Sequence, residues 1–172
     1  PDVLNLQEPE LVERIHRSYI DAGSDIIMTN TFGSTPYKLS LSGIEDHESV
    51  IREGVRIAKR AAKEDTLILG NIGSTGKMTY PIGDGFFDFY YDNYRETARV
   101  MVDEGVDGII LETFSDMLEL KAAVLAIRNV SKDIFLIAQM TFDEYGKTLT
   151  GTDPRNFAIT FNDLDVDAIG IN

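Results

Sequence analysis

The sequence predicts an α/β fold of parallel strands joined by crossover helices. Helix-period and strand signals alternate along all 172 residues. The strand candidates are apolar runs rather than alternating ones, as expected of strands covered on both faces. A third observation narrows the architecture. All five strand candidates finish in polar side chains: Asn30 and Thr31, Asn71, Glu112 and Thr113, Gln139 and Thr141, and Asn172. In an open doubly wound sheet, ligands gather at one switch point, so only some strand ends need polar chemistry. In a (β/α)8 barrel every carboxyl end faces one mouth. The polar tips therefore favour part of a barrel over the open sheet.

The elements follow in order. Residues 9–22 open with Pro9, suited to a first helical turn, and set Val12, Ile15, Tyr19 and Ala22 on one face. A strand is predicted over 25–31. Ile51, Val55, Ala58 and Ala62 mark a helix over 47–63, and "TLILGNI" (66–72) reads as the next strand. A loop rich in Gly, Pro and aromatics runs from 73 to about 89. Tyr94, Ala98, Met101 and Val102 mark a helix before the strand "DGIILET" (107–113). Asp116 and Glu119 form a capping-box pattern ahead of the stripe Met117, Leu120, Val124 and Ile127. "DIFLIAQMT" (133–141) is a strand, Asp153 and Pro154 start a helix to about 162, and "DAIGIN" (167–172) is the fifth strand. "AGSDIIMTNTFGS" (22–34) recurs as "EGVDGIILETFSD" (104–116), with a cousin in "LDVDAIGIN" (164–172). Each copy crosses a tight turn ending in Asp25, Asp107 or Asp167.

Composition excludes several function classes. At 43% hydrophobic and 26% charged, the chain suits one globular domain. No apolar run reaches the roughly 18 residues that would cross a bilayer, and "PDVLNLQEPE" has neither the basic nor the apolar part of a signal peptide. The absence of cysteine removes disulfides and thiolate metal sites and fits a reducing, cytoplasmic setting. A net charge of −13 disfavours nucleic acid and anionic membranes as partners. A closed barrel needs about 250 residues and eight strands. Five predicted strands and five helices fall short, so residues 1–172 are expected to form a single segment of a barrel, incomplete at both ends.

Glu112 is the most informative side chain. A carboxylate at the end of a buried strand is costly without a cation nearby, supplied by the protein or by a substrate ammonium; the sequence leaves both open. "GSTGK" (73–77) fails as a phosphate loop, because Asn71 stands where a glycine is needed and Met78 where Ser or Thr is needed. His16 and His47, far apart and without cysteines, make no zinc centre and read as surface residues. The aromatic and acidic stretch "DGFFDFYYDNY" (84–94) reads as a core-covering loop feeding a helix, with a lid over the mouth as the alternative.

Several non-repetitive stretches resemble the homocysteine S-methyltransferase family in the right order: "VLNLQEPELVERIHRSYIDAGSDIIMTNTFGS", "GNIGSTGKM", "GVDGIILETFSDMLELKAAVLAIR", "MTFDEYGKTLTGTDP" and "VDAIGIN". The wording is nearest the homocysteine module of cobalamin-dependent methionine synthases, and the betaine- and S-methylmethionine-dependent members share the pattern. The resemblance implies a (β/α)8 barrel with zinc held by three cysteines at the strand ends. It further implies homocysteine as substrate, activated as thiolate, methylcobalamin as donor, and cobalamin and folate domains on the same polypeptide. It gives Glu112 the homocysteine ammonium, sets Asn30, Thr31 and Asn172 at the mouth, and gives Gly73, Ser74 and Gly76 a shaping role. The family's first strand and its zinc cysteines have no counterpart here, so this segment alone is expected to bind no metal and transfer no methyl group.

Overall fold

A computed structural model describes all residues, 1–172. The elements run α1 (Leu4–Gln7), α2 (Pro9–Asp21), β1 (Ile26–Met28), α3 (Pro36–Ser40), α4 (His47–Ala61), β2 (Leu67–Gly73), α5 (Phe87–Asp103), β3 (Gly108–Phe114), α6 (Met117–Val130), β4 (Phe135–Met140), α7 (Pro154–Asn162) and β5 (Ala168–Ile171). The strands form one parallel sheet in the order β1-β2-β3-β4-β5. Each new strand adds on the same side, with no reversal of direction. That is the winding of a barrel; a doubly wound sheet turns back at its switch point. The five strands do not close on themselves.

Paired residues of parallel strands share a face, which sorts the side chains into two sets. Ile68, Ile72, Ile109, Leu111, Leu136, Ala138 and Met140 join the helices in one continuous core with Met101, Tyr94, Leu120 and Phe161. The opposite face carries layers set by register: Ile26 with Leu67; Met28, Leu69, Gly108 and Phe135; then Asn71, Ile110, Ile137 and Ala168. No helix covers that face, and Ile26, Met28, Leu67 and Phe135 are exposed. The continuous apolar runs reflect one face packed on helices and one facing a barrel interior.

The recurrent turn has a physical basis. Gly23, Gly105 and Asp165 occupy equivalent places and all have positive φ (104°, 73° and 52°). A left-handed residue ends each helix so that the chain can enter the strand. The carboxylates of Asp107 and Asp167 then accept the amides of Ile68 (2.7 Å) and Leu136 (2.8 Å) on the neighbouring strand. At Asp25 the backbone carbonyl accepts the Leu67 amide instead, at 2.9 Å.

Four local expectations need correction. Helix α2 buries Val12, His16 and Ile20, not Ile15 and Tyr19, which remain exposed along β1. His16 is therefore a buried residue, and burial lowers its pKa. Strand β1 ends at Met28, because the hydroxyls of Thr29 and Thr31 take over its pairing to β2 at Asn71. The stretch 84–94 is largely the start of α5, with Tyr90 and Tyr94 fully buried in the core. The short helices α1 and α3 were not predicted. Asn5 of α1 is fully buried and donates to the carbonyls of Asn30 (2.9 Å) and Val50 (3.1 Å).

Gly54 of α4 makes this junction possible. A Cβ there would lie 2.6 Å from Asn5 Nδ2 and 2.7 Å from Thr31 Cγ2, both held in place by burial. Gly→Ala inside an exposed helix stabilises by roughly 0.8–1 kcal/mol. Here the expected sign is opposite: Gly54→Ala should destabilise by about 1–3 kcal/mol in urea unfolding, since overpacking outweighs propensity.

Candidate functional site

The strand tips meet at the carboxyl edge of the sheet. Strand β3 carries a bulge there: Leu111 pairs with Ala138 but Phe114 pairs with Met140, so two residues, Glu112 and Thr113, stand opposite Gln139 alone. Leu111 and Phe114 both stay in the helix-facing core, fully buried. Thr113 adopts φ 62°, a conformation a β-branched residue rarely takes. Its amide and hydroxyl both donate to Asn172 Oδ1, at 3.1 Å each, tying the β3 tip to the end of β5.

Glu112 stands in register with Gly73, on the face that no helix covers. It is half-buried. Its carboxylate takes part in none of the ion pairs of the chain. No lysine or arginine of this chain pairs with it.

Gly73 has no side chain for a steric reason. A Cβ there would lie 2.4 Å from the Phe32 ring, which packs over the glycine beside Glu112, with Lys38 Nζ 4.9 Å from the ring centroid. Phe32, which sequence reasoning did not assign, thus stands beside Glu112 at the carboxyl edge of the sheet. Its only signal was its place directly after the polar tip of β1.

The other proposed mouth residues fall into two groups. Thr31 is fully buried; its hydroxyl contacts Thr29 Oγ1 at 2.6 Å and donates to the Asn71 carbonyl at 2.8 Å. Asn30 is partly buried, and its amide nitrogen donates to Asn5 Oδ1 (2.9 Å) and the Pro1 carbonyl (3.2 Å). Asn30 and Asn71 border a cavity of about 460 Å³ along β1, together with Ile15, His16, Tyr19 and Met28. Glu112 and Asn172 converge through Thr113, whereas Asn30 and Thr31 lie at the other end of the row of tips.

The loop after β2 is held from below. Asp116 caps α6 by accepting the amides of Leu118 (2.7 Å) and Glu119 (3.1 Å), and its second oxygen accepts the Thr79 hydroxyl at 2.6 Å. The other half of the capping box does not form. Glu119 Oε1 accepts the Thr75 amide (2.7 Å), the Thr75 hydroxyl (2.5 Å) and the Tyr94 hydroxyl (2.7 Å) instead. Glu119 is only 3% exposed, and burial pushes its pKa up against these three donors. Gly76, with φ 76°, turns the loop, and Ser74, Gly76 and Glu119 border a smaller cavity of about 160 Å³.

The residues present do not fit a zinc centre. The chain has no cysteine, and nowhere do three His, Asp or Glu side chains come together as a metal would require. No helix is long and apolar enough to cross a membrane.

Comparison with known proteins decides the family. The model of the family described as homocysteine S-methyltransferase matches residues 1–172. The chain belongs to that family. It is 34% identical over 182 aligned positions to the methionine synthases of Mycobacterium tuberculosis and Mycobacterium leprae, covering 99% of this chain and 15% of each relative. The chain thus spans about a seventh of these relatives' length. Among solved structures, the metallated homocysteine methyltransferase MmuM of Escherichia coli superposes with a TM-score of 0.87 at 19% identity, over 98% of this chain and 65% of that one. The carboxyl transferase domain of Rhizobium etli pyruvate carboxylase superposes with a TM-score of 0.60 at 13% identity, which is a likeness of fold. The fold of this family member is accordingly a segment of the homocysteine methyltransferase barrel, with its sheet open.

The raised pKa of Glu119 has a signed consequence. A carboxyl held above its ordinary 4.5 contributes stability that is fully present below that pH and is lost as pH rises through the folded value. The stability of the wild type relative to Glu119→Gln, which does not titrate, should therefore fall as pH rises from below 4.5 towards neutrality. Urea unfolding of both proteins across that range checks the slope; a rising difference would contradict it.

Proposed function

We propose that this chain forms the homocysteine-binding segment of a methyltransferase that converts homocysteine to methionine. The carrying observation is Glu112: a half-buried carboxylate on the uncovered face of the strand tips, without a protein cation. An amino acid's ammonium is the cation such a group accepts, and charge-assisted hydrogen bonds of this kind are the strong ones. Family membership and the names of the relatives, methionine synthase and homocysteine methyltransferase, support the choice of amino acid.

In this reading the chain binds and orients. Glu112 holds the substrate ammonium, and the bulge at Thr113, fixed by Asn172, sets the direction of that carboxylate. The Phe32 ring forms the apolar wall beside it. Asn30 and Thr31 complete the row of tips, Thr31 through the backbone of β2. Gly73, Ser74 and Gly76 shape the loop that borders the mouth. Zinc, which the family resemblance assigns to activation of the homocysteine sulfur, has no ligands among these residues. We place its ligands outside this chain. Methylcobalamin is the proposed donor, carried by a separate domain, in keeping with the methionine synthase relatives.

The test is calorimetric titration of homocysteine into the full-length protein carrying this segment, wild type against Glu112→Gln. Losing a hydrogen bond to a charged group costs about 1.5–3 kcal/mol, so the affinity should fall roughly ten- to hundredfold. Equal affinity in the two proteins would overturn the assignment of Glu112.

A further inference from the structure

The loop that leaves β2 at Gly73, beside Glu112, contains no helix or strand of its own as far as Thr79. It is nevertheless tied at several points to α5 and to the start of α6. Tyr90 of α5 donates to the Lys77 carbonyl at 2.9 Å. Tyr94 of α5 accepts the Thr75 amide at 3.1 Å. Asp116 takes the Thr79 hydroxyl, and Glu119 takes both polar hydrogens of Thr75. Three donors, the Thr75 amide and hydroxyl and the Tyr94 hydroxyl, converge on a single oxygen, Glu119 Oε1. Its second oxygen has no protein partner, and the residue borders the small cavity under the loop. A buried carboxylate used this way costs stability when ionised, and an apolar residue on α6 would pack without that penalty. What the carboxylate supplies is a fixed place for the loop.

The anchors also share a chain segment with the substrate-facing residue. Glu112, Asp116 and Glu119 lie within eight residues of one another on β3 and the first turn of α6. The loop is therefore referenced to the same rigid strand-to-helix corner that aims Glu112.

We infer that Glu119, with Thr75 and Tyr94, is a positioning residue that holds the 73–79 loop as a preformed wall of the amino-acid site beside Glu112. The inference rests on the proposed homocysteine reading. Glu119 itself is assigned no substrate contact. It acts through Thr75 and through Tyr94, whose hydroxyl also lies 3.4 Å from the Gly73 carbonyl, and Gly73 in turn carries the Phe32 ring.

The test measures two quantities in the full-length protein: amide hydrogen exchange at Thr75 without substrate, and homocysteine affinity by calorimetry. The variants are Glu119→Ala, Thr75→Val, Glu119→Gln and Glu119→Met. Glu119→Ala should speed exchange at Thr75 and weaken homocysteine roughly tenfold or more, because small misplacements of a binding wall are costly. Thr75→Val removes only the hydroxyl and should shift both quantities in the same direction by less. Glu119→Gln keeps an oxygen acceptor for the Thr75 donors and should restore most of the affinity, whereas Glu119→Met, which fills the same space without an acceptor, should not; a merely packing role would be rescued by both. If Glu119→Ala does not fold, Thr75→Val carries the test. Faster exchange with unchanged homocysteine affinity would overturn the inference and leave the proposed function standing. Absence of homocysteine binding by the wild type, with the loop protected as described, would overturn the proposed function instead.

Discussion

Burial of the helix-facing side chains of the sheet determines what is left for the other face. Ile68, Ile72, Ile109, Leu111, Leu136, Ala138 and Met140 lie in one apolar layer against the helices. Each of the larger ones contributes about 1.5–3 kcal/mol, so a slip of one residue in any strand would expose a set of them. Register is fixed on that side, and paired residues of parallel strands share a face. The opposite face therefore receives its side chains in layers, and the last layer puts Glu112 beside Gly73.

The bulge in β3 departs from this regularity at one place. Without it, Phe114 would turn away from the helices and its burial would be lost. With it, Leu111 and Phe114 both stay inside, and Glu112 and Thr113 are presented together at the tip. The left-handed φ of Thr113 costs about 1–3 kcal/mol. Two hydrogen bonds to Asn172 and the buried Phe114 ring hold it there. Strain at a strand tip beside an unpaired carboxylate is where bulges and sparsely populated backbone angles concentrate when a site is being built.

Much of this was legible in the sequence, and the reasons are local. The apolar runs marked the five strands because the sheet's second face is largely apolar too, so no alternation appears. The caps at Asp116 and Asp153 were readable because a side chain and an amide two or three residues on form a self-contained unit. The rest depended on partners far along the chain. Glu119 looked like half of a capping box, but Thr75 and Tyr94 offered it more donors than its own helix start. Thr31 reads as a free polar tip, yet the backbone of β2 consumes its hydroxyl and that of Thr29. The buried stripe Val12, His16 and Ile20 has the same helical spacing as the stripe inferred, and only the packing of α2 on the sheet chooses between them. The bulge is invisible without the register of β4, and Phe32 acquires meaning only once Gly73 is seen beneath it.

The central claim is that Glu112 recognises an ammonium group. The most direct measurement is a cycle of four affinities in the full-length protein: homocysteine and its des-amino analogue, each against wild type and Glu112→Gln. The account predicts that removing the amino group weakens binding to the wild type strongly and binding to Glu112→Gln little, giving a coupling of about 1.5–3 kcal/mol between carboxylate and ammonium. Additive losses, with no coupling between the two changes, would contradict it.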